Sequence, residues 1–371
     1  MAEEKAKTRG KLVLKNGPTF EGEIFGAEAV TSGEVVFTTG MVGYPESLTD
    51  PSFKDQILTF TSPLIGNYGI PEELEDEFQI SQYFESSQIH LKGIVVSEYS
   101  ENYHHWNAKK SLSDFLKNWN IPGISGIDTR ALTQFLRDNG STPGKIIPEN
   151  NTQEFDFYDP NFKNLVAEVS TKEIQVYGNG LKTIVILDCG VKNNTLRNFL
   201  RRNIRVIRVP WNYDFFAEPI LDTTGKPYVI DGIFISNGPG DPSLLEETVQ
   251  IIQKAFALKM PTLGICLGNQ LMGIAAGAKT YKLKFGHRGQ NQPCMNTETE
   301  RCFMTSQNHG FAIDPSTLPS DWKTLFININ DQTIEGIKHV SLPFFASQFH
   351  PEAFPGPTDT EYLFDEFANL L

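Results

Sequence analysis

A cysteine set between two glycines, where an apolar run breaks into a helical stretch, is a thiol placed to attack. In Pro261-Thr262-Leu263-Gly264-Ile265-Cys266-Leu267-Gly268-Asn269-Gln270 the first half reads as a short strand and the second as the start of a helix. That corner is a nucleophile elbow. The turn is strained, so Gly264 and Gly268 relieve crowding around it. The unpaired N–H groups and positive dipole end of the helix favour a thiolate at the sulfur. Taken by itself, Cys266 also reads as a small core residue, as free cysteines often are.

A thiol nucleophile needs a base. His350 closes the apolar run Pro343-Phe344-Phe345-Ala346-Ser347-Gln348-Phe349 and opens His350-Pro351-Glu352. If the tripeptide is extended, residues two apart project from one side, so Glu352 holds the His350 imidazole in orientation. Cys266, His350 and Glu352 then make nucleophile, base and orienter. Without the cysteine, the tripeptide reads as a solvated turn. His287 and His309 are the rival bases, but neither has a carboxylate at the spacing Glu352 has from His350. His90, His104, His105 and His339 read as structural or surface residues.

The third motif is Ile233-Phe234-Ile235-Ser236-Asn237-Gly238-Pro239-Gly240-Asp241-Pro242, a buried-type strand running into a turn. Gly238 and Gly240 let backbone approach a ligand closely. A loop N–H joins the N–H of Leu267 as an oxyanion hole if the two strands are neighbours in one parallel sheet. Alone, Gly-Pro-Gly-Asp-Pro is only a tight turn.

The elements that must hold these residues are legible around them. Strands at Thr183–Asp188, Ile204–Val209, Gly232–Ser236 and the elbow alternate with helices near 192–203 and 243–258. That is the pattern of a parallel sheet covered on both faces, with ligands at the strands' carboxyl ends. Residues 11–62 are β-rich, with Asn16-Gly17 as a hairpin signal. Helical periodicity follows near 108–119 and 129–138, the latter with Asp128 as N-cap and Asn139-Gly140 as stop. This half reads as α+β. Residues 146–180 are polar and irregular, which predicts domains at 1–150 and 181–371 with a linker at 151–180. A final helix is expected over Glu361–Leu371.

The strings SNGPGDP, GICLGNQ, SQNHGF and HPE, in this order, resemble the class I, or triad, glutamine amidotransferases. GEVVFTTGMVGYPESLTDPSF, SPLIGNYGIP and GIPGISGIDTRALT resemble the small subunit, or fused glutaminase region, of carbamoyl-phosphate synthetase. The likeness runs from about Lys11 to the C-terminus. It implies an α/β C-terminal amidotransferase domain, mostly parallel sheet flanked by helices, after a smaller α+β domain that supplies docking surface. It also implies a glutaminase whose ammonia passes to a large synthetase subunit or fused synthetase domain making carbamoyl phosphate from bicarbonate and ATP, for pyrimidines or arginine. L-glutamine is then held by Ser52, Gly238, Gly240, Leu267, Gln270, Asn308, Gly310 and Phe311. For Ser52 and Asn308, turn roles stay open. No cofactor is expected in this chain, ATP and magnesium belonging to the partner. Where the family commonly has Gly-His-Gln after the nucleophile, this chain has Gly268-Asn269-Gln270, and asparagine cannot titrate near neutrality. Two other readings remain, a stand-alone acyl or γ-glutamyl hydrolase and a non-catalytic scaffold of the synthetase.

Composition agrees with this picture. A chain of 371 residues is long for one core. A net charge of −13 and the lack of a basic stripe speak against nucleic acid. Cys189, Cys266, Cys294 and Cys302 show no metal-binding or disulfide spacing, so no metal site and a reducing, cytoplasmic setting are expected. The start, MAEEKAKTRGKLVL, carries acidic residues at 3 and 4 and no secretory pattern, and no apolar run is long enough for a membrane span.

Overall fold

The protein, described by a computed structural model for residues 8–151 and 155–371, falls into two compact units. The first runs to Leu74 and resumes from Ser81 to Phe162; the second takes Glu75–Ile80 and Lys163–Leu371. The acidic residues 3 and 4, and residues 152–154 of the expected linker, lie outside the described residues.

Seven strands of the first unit close into a barrel: Arg9–Leu14, Thr19–Gly26, Thr31–Thr38, Gln56–Phe60, Gly93–Val95, Pro122–Ser125 and Thr142–Pro148. Leu12, Ile24, Val35, Ile57, Val95, Ile124 and Ile146, one from each strand, join a single apolar cluster with Leu132 and Leu136 of the helix Thr129–Asn139. Asp128 caps that helix, accepting from the Ala131 N–H at 2.9 Å, and Gly140 ends it at a φ of 94°. The first two strands form the hairpin around Asn16-Gly17. The helical pattern expected from 108 starts later. Ala108–Lys110 is a strand, and Ser111 caps a helix over Leu112–Asn118.

The second unit is built on a ten-stranded sheet. Its central strands, Ile204–Pro210, Lys182–Asp188, Gly232–Ile235, Thr262–Ile265 and Phe344–Ser347, lie side by side and parallel. Successive residues of a strand face opposite sides, so Val185, Leu187, Ile233 and Ile235 join one core with the helices Glu246–Ala257 and Leu267–Ala276. Ile184, Ile186, Phe234, Leu263 and Ile265 join the other, with Phe199 of the helix Asn193–Arg201 and Phe364 and Phe367 of Tyr362–Ala368. Both faces being covered is why these strands read as unbroken apolar runs rather than alternating ones.

The stretch 151–180, expected as a linker, is only partly one. From Lys163 on it belongs to the second unit, where Gln175–Tyr177 pairs antiparallel with Ile204–Pro210 as an edge strand. The Thr171 N–H also donates to Asp188 at 2.7 Å. Polar composition marked an edge here, since an edge strand keeps one side in water. Glu75–Ile80 joins the same unit because Asp76 forms a buried pair with Arg197, 2.7 Å apart. Four antiparallel strands beyond the elbow, Thr280–Asn296, Cys302–Ile313, Trp322–Asn328 and Ile334–His339, complete the sheet. No described helix is long and apolar enough to cross a membrane.

Candidate active site

The strand Thr262–Ile265 and the helix Leu267–Ala276 meet at Cys266, whose φ of 55° and ψ of −104° lie outside the ordinary regions for an L-residue. What holds it there is close packing. A Cβ on Gly268 would come within 2.2 Å of the Ile235 carbonyl oxygen, so only glycine lets the helix lie this near the neighbouring strand. The Cys266 N–H donates to the Ser347 carbonyl at 2.8 Å, fixing the corner to the strand that leads to His350. The sulfur is buried and lies 3.5 Å from the Asn308 carbonyl oxygen, to which the thiol donates.

His350 follows Phe344–Ser347 at its carboxyl end and is anchored by its own N–H to the Ser306 carbonyl at 2.8 Å. The His350-Pro351-Glu352 segment is not extended. The Ala353 N–H closes a turn on the His350 carbonyl at 3.1 Å, with Pro351 and Glu352 as its central residues. Proline presets φ for that place in a turn, so the pair is brought together by folding back rather than by strand alternation. Glu352 Oε1 reaches His350 Nδ1 at 2.7 Å.

Both members of this pair are buried, and their charges are set by one another. Burial works against the imidazolium, but the Glu352 carboxylate and then the Cys266 sulfur outweigh it and lift His350 to about 10. Burial likewise works against the carboxylate, yet the Lys192 ammonium and the His350 ring hold Glu352 down to about 2. Lys192 Nζ lies 3.4 Å from Glu352 Oε1 and donates to the Ala353 carbonyl at 2.6 Å. Cys266 is near enough to raise the basicity of His350, while His350 Nε2 has no hydrogen-bond partner of good geometry among the described residues. Catalytic contacts of this kind commonly tighten only when substrate arrives.

The two strands carrying the loop and the elbow, Gly232–Ile235 and Thr262–Ile265, are parallel neighbours, Ile235 facing Gly264. The condition for a shared oxyanion site is therefore met. Gly238 sits where a Cβ would lie 2.1 Å from the Cys189 carbonyl and 3.0 Å from Leu267 Cδ2, and Gly240 has a φ of 88°. Leu267 is the first residue of its helix, before the intrahelical hydrogen bonds begin. Gln270, one turn on, donates through Nε2 to the Phe311 carbonyl at 2.9 Å and to Gln348 Oε1 at 3.2 Å. Asn308 and Gly310 lie on the same strand as Phe311, and Asn308 Nδ2 is buried with no partner among the described residues. Ser52 belongs to the first unit, on a buried turn where its N–H donates to Asp50 at 2.8 Å.

Of the rivals, His287 and His309 pack against each other and against Glu335. Sequence reasoning missed the residues that brace the pair. Lys192 follows the carboxyl end of Lys182–Asp188, where its place was the available signal, and Asn194 donates through Nδ2 to the Glu352 carbonyl. Gln348, two residues before His350, accepts from Asn269 Nδ2 at 3.1 Å as well as from Gln270. Asn269, the departure noted above, is thus a fully buried amide in a hydrogen-bonded network.

Known proteins carry the same sequence features. Residues 185–370 match the family described as Glutamine amidotransferase class-I, and residues 12–146 that described as Carbamoyl-phosphate synthase small chain, CPSase domain. Multifunctional protein pyr1-3 of Dictyostelium discoideum is 50% identical over 381 residues, covering 98% of this chain and 17% of that protein. The human protein Carbamoyl-phosphate synthase [ammonia], mitochondrial is 50% identical over 371 residues, covering 99% of this chain and 24% of its own length. Multifunctional protein URA2 of Saccharomyces cerevisiae is 48% identical, covering 97% and 17%. This chain therefore spans less than a quarter of each of these relatives.

Proposed function

Since the chain belongs to the class-I glutamine amidotransferase family and carries a carbamoyl-phosphate synthase small-chain domain, we propose that it is the glutaminase of a carbamoyl-phosphate synthetase. The observation that carries this reading is the hydrogen-bonded His350–Glu352 pair lying beside a buried thiol held at a positive-φ corner. Cys266 gives its proton to His350, and its sulfur attacks the carboxamide carbon of L-glutamine. The oxyanion that forms is met by the N–H of Leu267 and one from the Gly238–Gly240 loop. His350 then protonates the amide nitrogen as the carbon–nitrogen bond breaks, so ammonia leaves and a γ-glutamyl thioester remains on Cys266. Water, deprotonated by His350, cleaves that thioester to glutamate and restores the thiol.

Glutamine recognition falls to Gln270, Asn308, Gly310 and Phe311, with Gly238, Gly240 and Leu267 at the oxyanion. Ammonia passes to a synthetase subunit or fused domain, and the ATP and magnesium chemistry belongs to that partner. The large relatives support this, being proteins of which this chain matches only a fraction. The pathway, pyrimidine or arginine, follows from the partner. All four cysteines are free, which suits a thiol enzyme of the cytoplasm.

A scaffold without glutaminase activity is the second reading, favoured by Asn269 and by the human relative, whose name gives ammonia as its nitrogen source. Ammonia release from glutamine decides between them. The wild-type chain, with its synthetase partner, releases ammonia and takes up one equivalent of a glutamine-like electrophile at Cys266. Cys266→Ser does neither, while ammonia-dependent synthesis by the assembled enzyme continues. Labelling at Cys189, Cys294 or Cys302 instead overturns the assignment.

A further inference from the structure

A second buried cluster stands among the antiparallel strands, unused by the thiol chemistry. His287 on Thr280–Asn296, His309 on Cys302–Ile313 and Glu335 on Ile334–His339 each offer a ligand atom, all within 4.8 Å of one another. His287 and His309 are register partners on paired strands, and their rings meet edge to face with centroids 4.9 Å apart.

The outer ring nitrogens are already engaged. His287 Nε2 lies 2.8 Å from Asp331 Oδ2, and His309 Nδ1 lies 2.9 Å from the Phe311 carbonyl oxygen. Where each ring donates only its outer N–H, His287 Nδ1 and His309 Nε2 are lone pairs turned inward; the second proton that Glu335 and Asp331 favour on His287 is the competitor a metal ion displaces. Both face the same carboxylate oxygen, Glu335 Oε1, at 3.2 and 3.7 Å. Glu335 is fully buried, and its Oε2 has no hydrogen-bond partner among the described residues. Electron-pair donors converging away from water repel unless a proton or a metal cation lies between them.

We infer that His287, His309 and Glu335 form a binding site for a divalent transition-metal ion of the zinc class. Bonds of about 2.0–2.2 Å to a tetrahedral ion place its ligand atoms about 3.3 Å apart. The two contacts to Glu335, 3.2 and 3.7 Å, sit near that spacing, and the third side lies within 4.8 Å. Gln307 Oε1, 3.3 Å from His309 Nε2, is an oxygen within reach of a fourth position. Asp331 and the Phe311 carbonyl are the outer hydrogen bonds that orient metal ligands, and the Thr333 hydroxyl lies between Asp331 Oδ1 at 2.8 Å and Glu335 Oε1 at 3.2 Å. Two imidazoles and a carboxylate suit zinc and its neighbours rather than magnesium or calcium. This site departs from the expectation of no metal, which rested on the lack of CxxC or paired Cys/His spacing along the sequence. These ligands come from three separate strands, a pattern with no local signature. The ion staples those strands together through His309, which stands between Asn308 and Gly310 on its strand.

The test uses the full chain after chelation and dialysis, titrated with cobalt chloride and followed by visible absorption, with zinc chloride as competitor. One cobalt per chain with tetrahedral absorption, displaced by zinc and accompanied by a rise in Tm, is expected. His287→Asn and Glu335→Gln abolish the signal. Asp331→Asn, at a side chain 43% exposed, weakens affinity by ~10–100-fold and covers the case of a buried variant that fails to fold. Cys266→Ser retains the signal, so this outcome does not depend on glutaminase activity. No stoichiometric binding, binding unchanged in Asp331→Asn, or binding lost in Cys266→Ser overturns the proposal. So does a chelated, metal-free chain in which nitrogen NMR shows His287 doubly protonated and cobalt fails to displace the proton.

Discussion

His350 Nδ1 and Glu352 Oε1 lie 2.7 Å apart across a tight turn, in a place from which water is excluded. The carboxylate is itself held by Lys192, so the base stands at one end of a chain of three buried charged groups with Glu352 in the middle. A buried pair of this kind fixes which groups carry charge and hence how the protein responds to pH.

Replacing the carboxylate changes that response. His350 is raised from its ordinary 6.5 to about 10, so its contribution to stability is complete below about pH 6.5 and is lost as pH rises toward 10. Glu352 is lowered from 4.5 to about 2, so its contribution is present above about pH 4.5 and is lost as pH falls toward 2. Chemical denaturation of the wild type between pH 6 and 10 shows stability falling as pH rises. In Glu352→Gln the largest raising influence on His350 is gone, burial dominates, and the slope over that range flattens.

Lys192→Met removes one of the two cations beside the buried Glu352 carboxylate and leaves only the His350 ring to offset its charge. Breaking a buried pair from one side costs about 3–5 kcal/mol. The double variant Lys192→Met/Glu352→Gln recovers part of that, because it removes the stranded charge as well. A double variant no more stable than Lys192→Met in urea titration contradicts this account.

Gly268→Ala tests how closely the elbow helix must lie on the sheet. The added methyl meets the backbone oxygen of Ile235 at 2.2 Å, and a backbone atom cannot swing aside. We expect a loss of about 1–3 kcal/mol, as for other overpacked sites, together with a fall in kcat, since the same shift displaces Cys266. Full activity in this variant shows that the elbow tolerates movement.

Gln348→Leu removes the acceptor shared by Asn269 and Gln270. Each orphaned buried donor costs about 1–3 kcal/mol. Gln270 Nε2 keeps its bond to the Phe311 carbonyl, so the fold survives while the glutamine pocket loosens. Steady-state kinetics is expected to show KM for glutamine rising more than kcat falls.

Much of this was legible in the chain itself, for local reasons. A strand, a cysteine between glycines and a helix start are contiguous, so the elbow at Cys266 follows from a dozen residues. Apolar runs such as Thr183–Asp188 announce a covered parallel strand because both of their faces are buried. Asp128 and Gly140 bound their helix by capping chemistry that spans only a few residues. The extended form on which the His350-Pro351-Glu352 pairing was conditioned is not the form that folds, since a proline fits a strand end and a turn alike.

What folding alone decided lies across long separations in the chain. The strands from 280 to 339 were obscured because bulges break their alternation, between Lys282 and His287 and again between Gly289 and Gln292, so no single period runs through them. Lys192 beside Glu352, Asp76 beside Arg197, and His287, His309 and Glu335 around one point each join residues that no sequence window contains. The sequence determined which groups could act as acid, base or nucleophile, because those are properties of side chains. Which of them are buried together, and so how strongly they hold one another's charge, depends on packing that forms only when the sheet closes over them.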